Sequence, residues 1–208
     1  MAVSSKFQAQ LEAQLQAIHP IIQKAGFDPI LMIGYGNSNF GTPLLSASGY
    51  WHYLDLTGLS SLEVKELKAG NIQVDAASNR FGASLTLSGL FKSIIHTRVQ
   101  GDIHYRLLVV PDSAPLVGEI EYDQSSFQGS GHVSGTINGG LKIESISFPL
   151  VNFQPGNITP RLNSFSGALG KLNSAINAAV IREAQTEVVQ HIHNHLVLAI
   201  NQGFKAAL

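Results

Sequence analysis

Three histidines lie within five residues near the C-terminus, at His191, His193 and His195 in the sequence HIHNH. In a helix, His191 and His195 share one face, and Glu187 lies one turn earlier on that face. Imidazole and carboxylate groups are both zinc ligands, so this face could present three donors in a row. His191 is followed by Ile192, so the HExxH pattern of zinc hydrolases is absent. We therefore favour the polar edge of a helix over a zinc site and predict no metal ligand here.

Other combinations of catalytic residue types are equally weak. Ser130 and His132 lie close together in GSGHVSG, but no GxSxG nucleophile elbow occurs anywhere in the chain. Glu119 and Glu121 are two residues apart and lie on the same polar face of a predicted strand. A pair of carboxylates in such a position is more often part of the solvated surface than a catalytic dyad of a glycosidase. The segment at 34–39, GYGNSN, lacks the third glycine of a dinucleotide fingerprint. No enzymatic activity is predicted.

The composition excludes some classes of protein and favours others. The 208 residues are 44% hydrophobic and only 13% charged, whereas globular proteins carry about 25% charged residues. The formal net charge is -1 without clustered Lys or Arg, so nucleic-acid binding is not expected. The chain has no cysteine, which excludes disulfides and thiol chemistry. The excess of apolar side chains must fill a large core, a ligand cavity or an interface.

Membrane-spanning and targeting segments are not predicted. No run of about 18 apolar residues occurs, and the N-terminus, MAVSSKFQAQLEAQ, has no apolar region typical of a signal peptide. The chain is expected to be cytosolic or a mature form with an added methionine. The sequon Asn157-Ile158-Thr159 is weakly compatible with secretion.

The chain begins with a helix pattern. Apolar residues recur at three- and four-residue steps on one predicted face, namely Phe7, Leu11, Leu15, Ile18 and Ile22. Pro20 is expected to kink this helix or end it early, and Gly26 and Pro29 close it. Residues 30–43 are rich in glycine and asparagine and are predicted to form a loop.

From Leu44 to about Phe153 the apolar period changes to two, which predicts a run of antiparallel strands with one apolar and one polar face. The clearest stretches contain Phe81, Ala83, Leu85 and Leu87, then Ile103, Tyr105 and Leu107, then Ile120 and Tyr122. Turns are predicted at Asn79-Arg80, Pro111–Ser113 and Asn138–Gly140. Glycines within the strands predict strong curvature or bulges.

The last element is a very long helix, predicted over 164–207. Its apolar stripe advances by steps of nearly four and comprises Phe165, Leu169, Leu172, Ile176, Val180, Ala184, Val188, Ile192, Leu196, Ile200 and Phe204. An unbroken helix of this extent is roughly 60 Å long and needs an extended partner. The predicted fold class is therefore α+β: a long, strongly curved antiparallel sheet wrapped around this helix, with a shorter N-terminal helix. No linker or repeat divides it, so 1–208 is predicted to be a single domain.

This order of elements and several short motifs resemble one group of proteins. The motifs are FDP at 27–29, LDLTGLSSL at 54–62, GNIQV at 70–74 and IREA at 181–184. The chain resembles the arthropod group-7 mite allergens and the related juvenile-hormone-binding and takeout proteins. These belong to the tubular lipid-binding superfamily that includes the bactericidal/permeability-increasing proteins. Takeout proteins usually carry an N-terminal cysteine pair, which this chain lacks, so the mite-allergen branch is the better match.

The resemblance implies half of a tubular lipid-binding fold and a secreted protein that holds an elongated apolar ligand, such as a terpenoid, a carotenoid pigment or a fatty acid. The small residues Ala83, Gly89, Gly101 and Gly135 are expected to leave room for it beside larger inward residues. The candidate lining comprises Trp51, Tyr53, Leu85, Leu87, Ile103, Tyr105, Leu107, Ile120, Tyr122, Leu172, Ile176, Val180, Val188 and Ile192.

Two alternatives stay open at this point. The inward residues could simply fill a core, which is the usual outcome. The segment Tyr50–Tyr53 could be an ordinary strand, or Trp51 and Tyr53 could guard an opening of the tunnel. The predicted partner is a hydrophobic small molecule, with no cofactor other than a bound lipid or pigment. The alternative function is recognition of bacterial lipids or lipopeptides, or surface activity, without a dedicated ligand. The pattern leaves the oligomeric state open.

Overall fold

The structure is a computed structural model that describes residues 5–24, 34–42, 45–107 and 110–208. For residues 5, 18–24 and 42 it describes the backbone alone. A helix comes first, nine strands follow, and two helices close the described chain. The elements are α1 (Ser5–Lys24), β1 (Gly34–Thr42), β2 (Leu45–Thr57), β3 (Leu62–Asp75), β4 (Arg80–Phe91), β5 (Ile95–Leu107), β6 (Val110–Asp123), β7 (Ser126–Thr136), β8 (Lys142–Gln154), β9 (Asn157–Leu162), α2 (Gly167–Gly170) and α3 (Asn173–Ala207).

The strands form two antiparallel sheets. Sheet A has the order β1-β2-β5-β6-β9, and sheet B has the order β3-β4-β7-β8. Helix α3 contacts both edge strands of sheet A, β1 and β9, and also the edge strand β8 of sheet B. A sheet whose two outermost strands touch the same helix is curled around it. The predicted fold is therefore confirmed, with the difference that hydrogen bonding divides the strands into two sheets.

The core lies between the inner faces of the two sheets and α3, and we call this space the interior. The predicted stripe of α3 is buried, at Ile176, Val180, Ala184, Val188, Ile192, Leu196, Ile200 and Phe204. Helix α1 covers one side, because it packs on β3 and α3 and buries Leu11 and Leu15. Among the described residues, Thr97 and Ser125 are the buried polar ones. The interior is thus apolar along the whole of α3.

One asparagine fastens α3 to sheet B. The side chain of Asn201 accepts a hydrogen bond from the Phe148 N–H and donates one to the Phe148 carbonyl, both at 2.8 Å. An amide side chain carries the same donor and acceptor as a peptide group, so it can pair with an edge strand. This contact fixes the position of α3 along β8.

Two of the glycines predicted to leave room in the interior, Gly89 and Gly135, are instead covered by neighbouring atoms. A Cβ placed on Gly89 would lie 2.6 Å from Phe127 Cε1, and one on Gly135 would lie 2.8 Å from Phe81 Cε1. Glycines in strands often mark such close approaches. The expectation of free space beside these glycines is therefore wrong, because aromatic rings from neighbouring positions occupy it.

Three other boundaries differ from the prediction. Residues 34–42 of the expected loop form β1, while the rest of that loop lies outside the described residues. The expected turn at Pro111–Ser113 lies within β6, where β5 is the hydrogen-bonded neighbour and β9 pairs only from Gly118 onward. A proline is tolerated there because its missing N–H faces the open edge. The expected helix over 164–207 is divided into α2 and α3, and α3 alone is about 52 Å long.

Other local expectations are confirmed or untested. The turns at Asn79 and Asn138–Gly140 are present, with positive φ angles of 54° at Asn79 and 76° at Gly139. Pro20 lies inside α1, which continues to Lys24 rather than ending early. Gly26 and Pro29 lie outside the described residues.

Candidate functional site

Most of the predicted lining residues meet in the interior. They come from β2, β4, β5, β6, α3 and the N-cap of α3 at Leu172, and all are buried except two: Tyr105 is half-buried and Leu107 is 43% exposed. Leu107 is the last residue of β5 and pairs with Val110, which is 65% exposed. The strand end therefore extends beyond the part of sheet A that α3 covers.

Trp51 and Tyr53 join sheet A to α3. The Trp51 indole N–H donates to the Tyr53 hydroxyl at 3.0 Å, and that hydroxyl donates to the carbonyl of Val180 at 2.8 Å. Both side chains are 0% exposed, so the structure places them inside rather than at the expected opening. Burial raises the pKa of Tyr53 well above its ordinary value, which keeps the hydroxyl neutral and able to donate.

Tyr122 presents a hydroxyl that makes no hydrogen bond within the described part of the chain. Its side chain is 0% exposed, and its ring lies 6.4 Å from that of Phe153. Burial raises the pKa of Tyr122 far above the ordinary range, and the nearby Tyr53 contributes in the same direction. Buried polar groups are nearly always paired, and an unpaired one costs about 1–3 kcal/mol. This neutral hydroxyl is thus an unused hydrogen-bonding group in an otherwise apolar interior.

A cavity of about 660 Å³ lies at the end of sheet A where β1, β2, β5 and β6 meet. Its lining includes polar residues on the outward face of these strands, among them Ser46, Ser48, His104 and Arg106. Tyr105 also contributes, and its hydroxyl donates to Asp112 at 2.8 Å, which lowers the pKa of that carboxyl. Phe40, Ala47 and Pro111 add apolar surface, so the lining is mixed, and it includes Tyr105 of the predicted lining residues.

Strand alternation divides the aromatic segment at 50–53 between two faces. Trp51 and Tyr53 point inward, whereas Tyr50 and His52 point outward and meet Tyr35 of β1. The Tyr35 and Tyr50 rings are stacked at 6.1 Å and are 50% and 46% exposed. We call Tyr35, Tyr50 and His52 the aromatic patch. The alternation of residues 50–53 between two faces could be predicted from the sequence. The contact with Tyr35 could not, because the segment that forms β1 was predicted to be a loop.

The HIHNH segment lies on α3 beside its buried stripe. His191 is exposed, while His193 and His195 are half-buried next to the buried Ile192. Ser130 and His132, the other pair considered for catalysis, are both exposed on β7. Within the described ranges, the cluster with metal-ligand spacing is a different one, formed by His96, Glu119 and Glu121. Sequence reasoning treated the two glutamates as surface and did not connect them with a histidine from another strand.

Membrane-crossing helices are absent from the described ranges, because none is both long enough and apolar enough. No protein-family model matches the chain, and no curated protein sequence matches it.

Solved structures show distant similarity. A crystal structure of lipopolysaccharide binding protein is 10% identical, covers 97% of this chain and has a TM-score of 0.33. This chain spans 38% of that protein's length. Takeout 1 of Epiphyas postvittana is 12% identical with 91% of each chain covered and a TM-score of 0.20. The assignment of the fold therefore rests on the elements described above: two antiparallel sheets that enclose an apolar interior around a long helix.

Proposed function

We propose that this protein binds an elongated hydrophobic small molecule in its interior and performs no catalysis. The observation that carries this proposal is the apolar stripe of α3, which extends about 42 Å from Ile176 to Phe204 at 1.5 Å per residue. The inner faces of both sheets enclose it. A stripe of this length matches an elongated ligand such as a terpenoid, a carotenoid pigment or a fatty acid. An extracellular carrier role, which the family resemblance implies, belongs to the same proposal.

Burial of hydrocarbon would provide the affinity. A ligand that buries about 400 Å² of apolar surface gains about 10 kcal/mol at 25 cal/mol per Å². Losses of translational, rotational and side-chain freedom take back several kcal/mol. The remainder corresponds to Kd values from roughly micromolar to nanomolar, without any charged anchor. The unpaired Tyr122 hydroxyl adds one site where a carbonyl or ether oxygen of the ligand can accept a hydrogen bond.

Helix α1 is the element whose movement would admit a ligand. It is not part of either hydrogen-bonded sheet. Its buried residues are Leu11 and Leu15, and Phe7 makes an edge-on contact with Phe81 at 5.4 Å between ring centroids. The Gln14 amide donates one hydrogen bond to a loop carbonyl. By contrast, α3 is fastened to both sheets through side-chain hydrogen bonds, of which the one from Tyr53 is buried and the one to Asn201 is partly buried. Displacing α1 would expose the surfaces of β3 and α3 that it contacts without breaking a strand pair.

A second candidate function is recognition of a lipid surface without a dedicated ligand. The aromatic patch favours it, because exposed tyrosines combine an apolar body with a polar tip and are suited to the boundary of a membrane. This candidate predicts that the protein floats with lipid vesicles while no single ligand binds stoichiometrically. Bacterial lipids or lipopeptides would be the partners in that case.

The deciding experiment combines native mass spectrometry with titration of a fluorescent polyene fatty acid. We expect one polyene per chain, displaced by unlabelled terpenoids or fatty acids of similar length. Ala184→Leu adds volume at a position that is 0% exposed on the interior face of α3, so we expect binding to weaken at least tenfold. Ala178→Leu is the matched control, since Ala178 is exposed on the same helix.

Circular dichroism and Tm of both variants confirm that they remain folded. Absence of any stoichiometric apolar adduct on the unmodified protein, together with flotation on vesicles, would replace this proposal with the second candidate.

A further inference from the structure

Three side chains with metal-binding groups converge on the outer face of sheet A. His96 on β5 pairs directly with Glu121 on β6, and Glu119 lies two residues earlier on β6. Residues i and i+2 of a strand share a face, as do directly paired residues of neighbouring strands. β5 and β6 are internal strands of the sheet, so the backbone beneath this cluster is held on both sides. The backbone register therefore preorganises the three side chains.

The distances suit a shared ion better than a hydrogen bond. One ligand atom from each of the three residues lies within 4.8 Å of the other two. His96 Nδ1 is 3.8 Å from Glu119 Oε2, which is too far for a hydrogen bond. Two ligands of a tetrahedral zinc ion are roughly 3.4 Å apart when each bond is about 2.0–2.1 Å. A small rotation of the Glu119 side chain, which is 41% exposed, closes the difference.

His96 Nδ1 is also an unsatisfied atom. It is shielded from solvent and makes no hydrogen bond within the described residues, although the imidazole as a whole is 37% exposed. A ring nitrogen in this position loses its hydration without gaining a partner. Coordination of a cation would satisfy that nitrogen.

The surrounding charges favour a dication. Arg161 of β9 pairs through Nε with Glu121 Oε1 at 2.5 Å, which holds the carboxylate in place and leaves its second oxygen unused by this ion pair. The neighbouring Arg98 is engaged by Asp55. With neutral imidazole, two carboxylates and Arg161 leave a net charge of about -1 at the cluster, which attracts a divalent cation at short range.

We propose that His96, Glu119 and Glu121 form a binding site for a divalent transition-metal ion, with Zn²⁺ as the first candidate. One imidazole nitrogen and two carboxylate oxygens match the mixed ligand sets of zinc sites with three protein ligands, and they leave a fourth position for water. Ca²⁺ and Mg²⁺ prefer all-oxygen shells and are disfavoured by the imidazole. The site faces away from the interior, so it does not depend on the proposed hydrophobic ligand.

The test uses untagged full-length protein and isothermal titration with ZnCl2, followed by Co²⁺ absorption spectroscopy. We expect one Zn²⁺ per chain with micromolar affinity, and visible Co²⁺ bands of a four-coordinate site. His96→Ala and Glu119→Gln are each expected to weaken Zn²⁺ binding at least tenfold and to abolish the Co²⁺ bands. His132→Ala and Glu144→Gln are matched controls, since both residues lie on exposed positions of sheet B, and they are expected to leave binding unchanged.

His191→Ala and His195→Ala test the competing histidines of α3. Loss of Zn²⁺ binding in these two variants, with unchanged binding in His96→Ala, would overturn the proposal and assign the metal to the helix. Failure of the unmodified protein to bind Zn²⁺ at 100 micromolar would overturn it as well.

Discussion

At the scale of single residues, three asparagine side chains each accept a hydrogen bond from a backbone N–H and donate one to a backbone carbonyl elsewhere in the chain. Asn201 does so on β8, and Asn173 binds both the N–H and the carbonyl of Phe165 at 3.0 Å. Asn163 extends the β6–β9 ladder by accepting from the Val117 N–H and donating to the Pro115 carbonyl. Because the partners of Asn201 and Asn163 are distant in sequence, no local pattern could identify them.

Tyr53 and Tyr122 provide a matched pair for measuring how much a buried hydroxyl contributes to the free energy of unfolding. Tyr53→Phe removes the only hydrogen-bond acceptor described for the Trp51 indole N–H, so we expect the free energy of unfolding to fall by about 1–3 kcal/mol. Tyr122→Phe removes a hydroxyl without a described partner, so we expect it to leave the unliganded protein equally stable or slightly more stable. Urea unfolding with unchanged m-values measures both. Equal destabilisation by the two variants would show that the Tyr122 hydroxyl has a partner after all.

At the scale of elements, inward glycines are matched to aromatic rings on neighbouring strands. On β1, a Cβ at Gly36 would meet the indole of Trp51 of β2, and on β2 a Cβ at Gly49 would lie 3.2 Å from Phe40 Cε2 of β1. This explains why β1 was missed: at Gly34 and Gly36 its inward positions carry no apolar side chain of their own. At Gly36 the strand contributes backbone to the core while β2 contributes the ring of Trp51, and β1 adds one buried ring of its own at Phe40.

Glycine substitutions within β4 test this matching. Gly89→Ala would place a methyl group 2.6 Å from Phe127 Cε1 and against a backbone carbonyl of β3, so we expect a loss of about 1–3 kcal/mol in the free energy of unfolding. Gly82→Ala is the control in the same strand, because its Cβ would approach no described atom closer than 4.0 Å. We expect it to be neutral or to stabilise by a few tenths of a kcal/mol, since glycine is disfavoured in strands. Thermal unfolding of the two variants measures this difference. A Tm of Gly89→Ala equal to or above that of Gly82→Ala would contradict the prediction.

How much the sequence could predict also differs between elements. The stripe of α3 and the alternation in β4 and β5 follow from local periodicity, so the buried face was predictable. Periodicity identifies a face but not the part of it that another element covers, which is why Leu107 was expected inside and is exposed. Pro111 was assigned to a turn because its open side, where proline is tolerated, follows from the register of β9, which pairs with β6 only from Gly118 onward, and not from local sequence. Predicting the His96 cluster would have required the register between β5 and β6, which cannot be read from local sequence.

At the scale of the whole molecule, the two proposed sites lie on opposite faces of sheet A. The inner face encloses the apolar interior with α3, and the outer face carries the aromatic patch and the His96 cluster. Because side chains alternate between the faces, each strand contributes to both without a separate domain. Changes on the outer face should therefore leave apolar ligand binding intact, and the two proposed sites are separable by substitution.

The unpaired Tyr122 hydroxyl predicts that the proposed ligand carries a hydrogen-bond acceptor. A long-chain methyl ketone and a hydrocarbon of the same length would bury similar apolar surface, but only the ketone can accept a hydrogen bond. We expect the ketone to bind about tenfold more tightly, in line with about 1.4 kcal/mol for one buried hydrogen bond. At 100 times its Kd, either ligand adds about 2.7 kcal/mol to the free energy of unfolding, or about 5–10 °C in Tm for a chain of this size.

In Tyr122→Phe the preference for the ketone should disappear while the hydrocarbon binds as before, because only the hydrogen bond has been removed. Thermal shift and competition with the fluorescent polyene measure this difference in both proteins. A ketone preference that persists in the variant would place the ligand's polar group elsewhere, with the Tyr53 hydroxyl as the next group to test. If neither ligand shifts the Tm of either protein, the interior is a packed core and the hydrophobic carrier proposal fails with it.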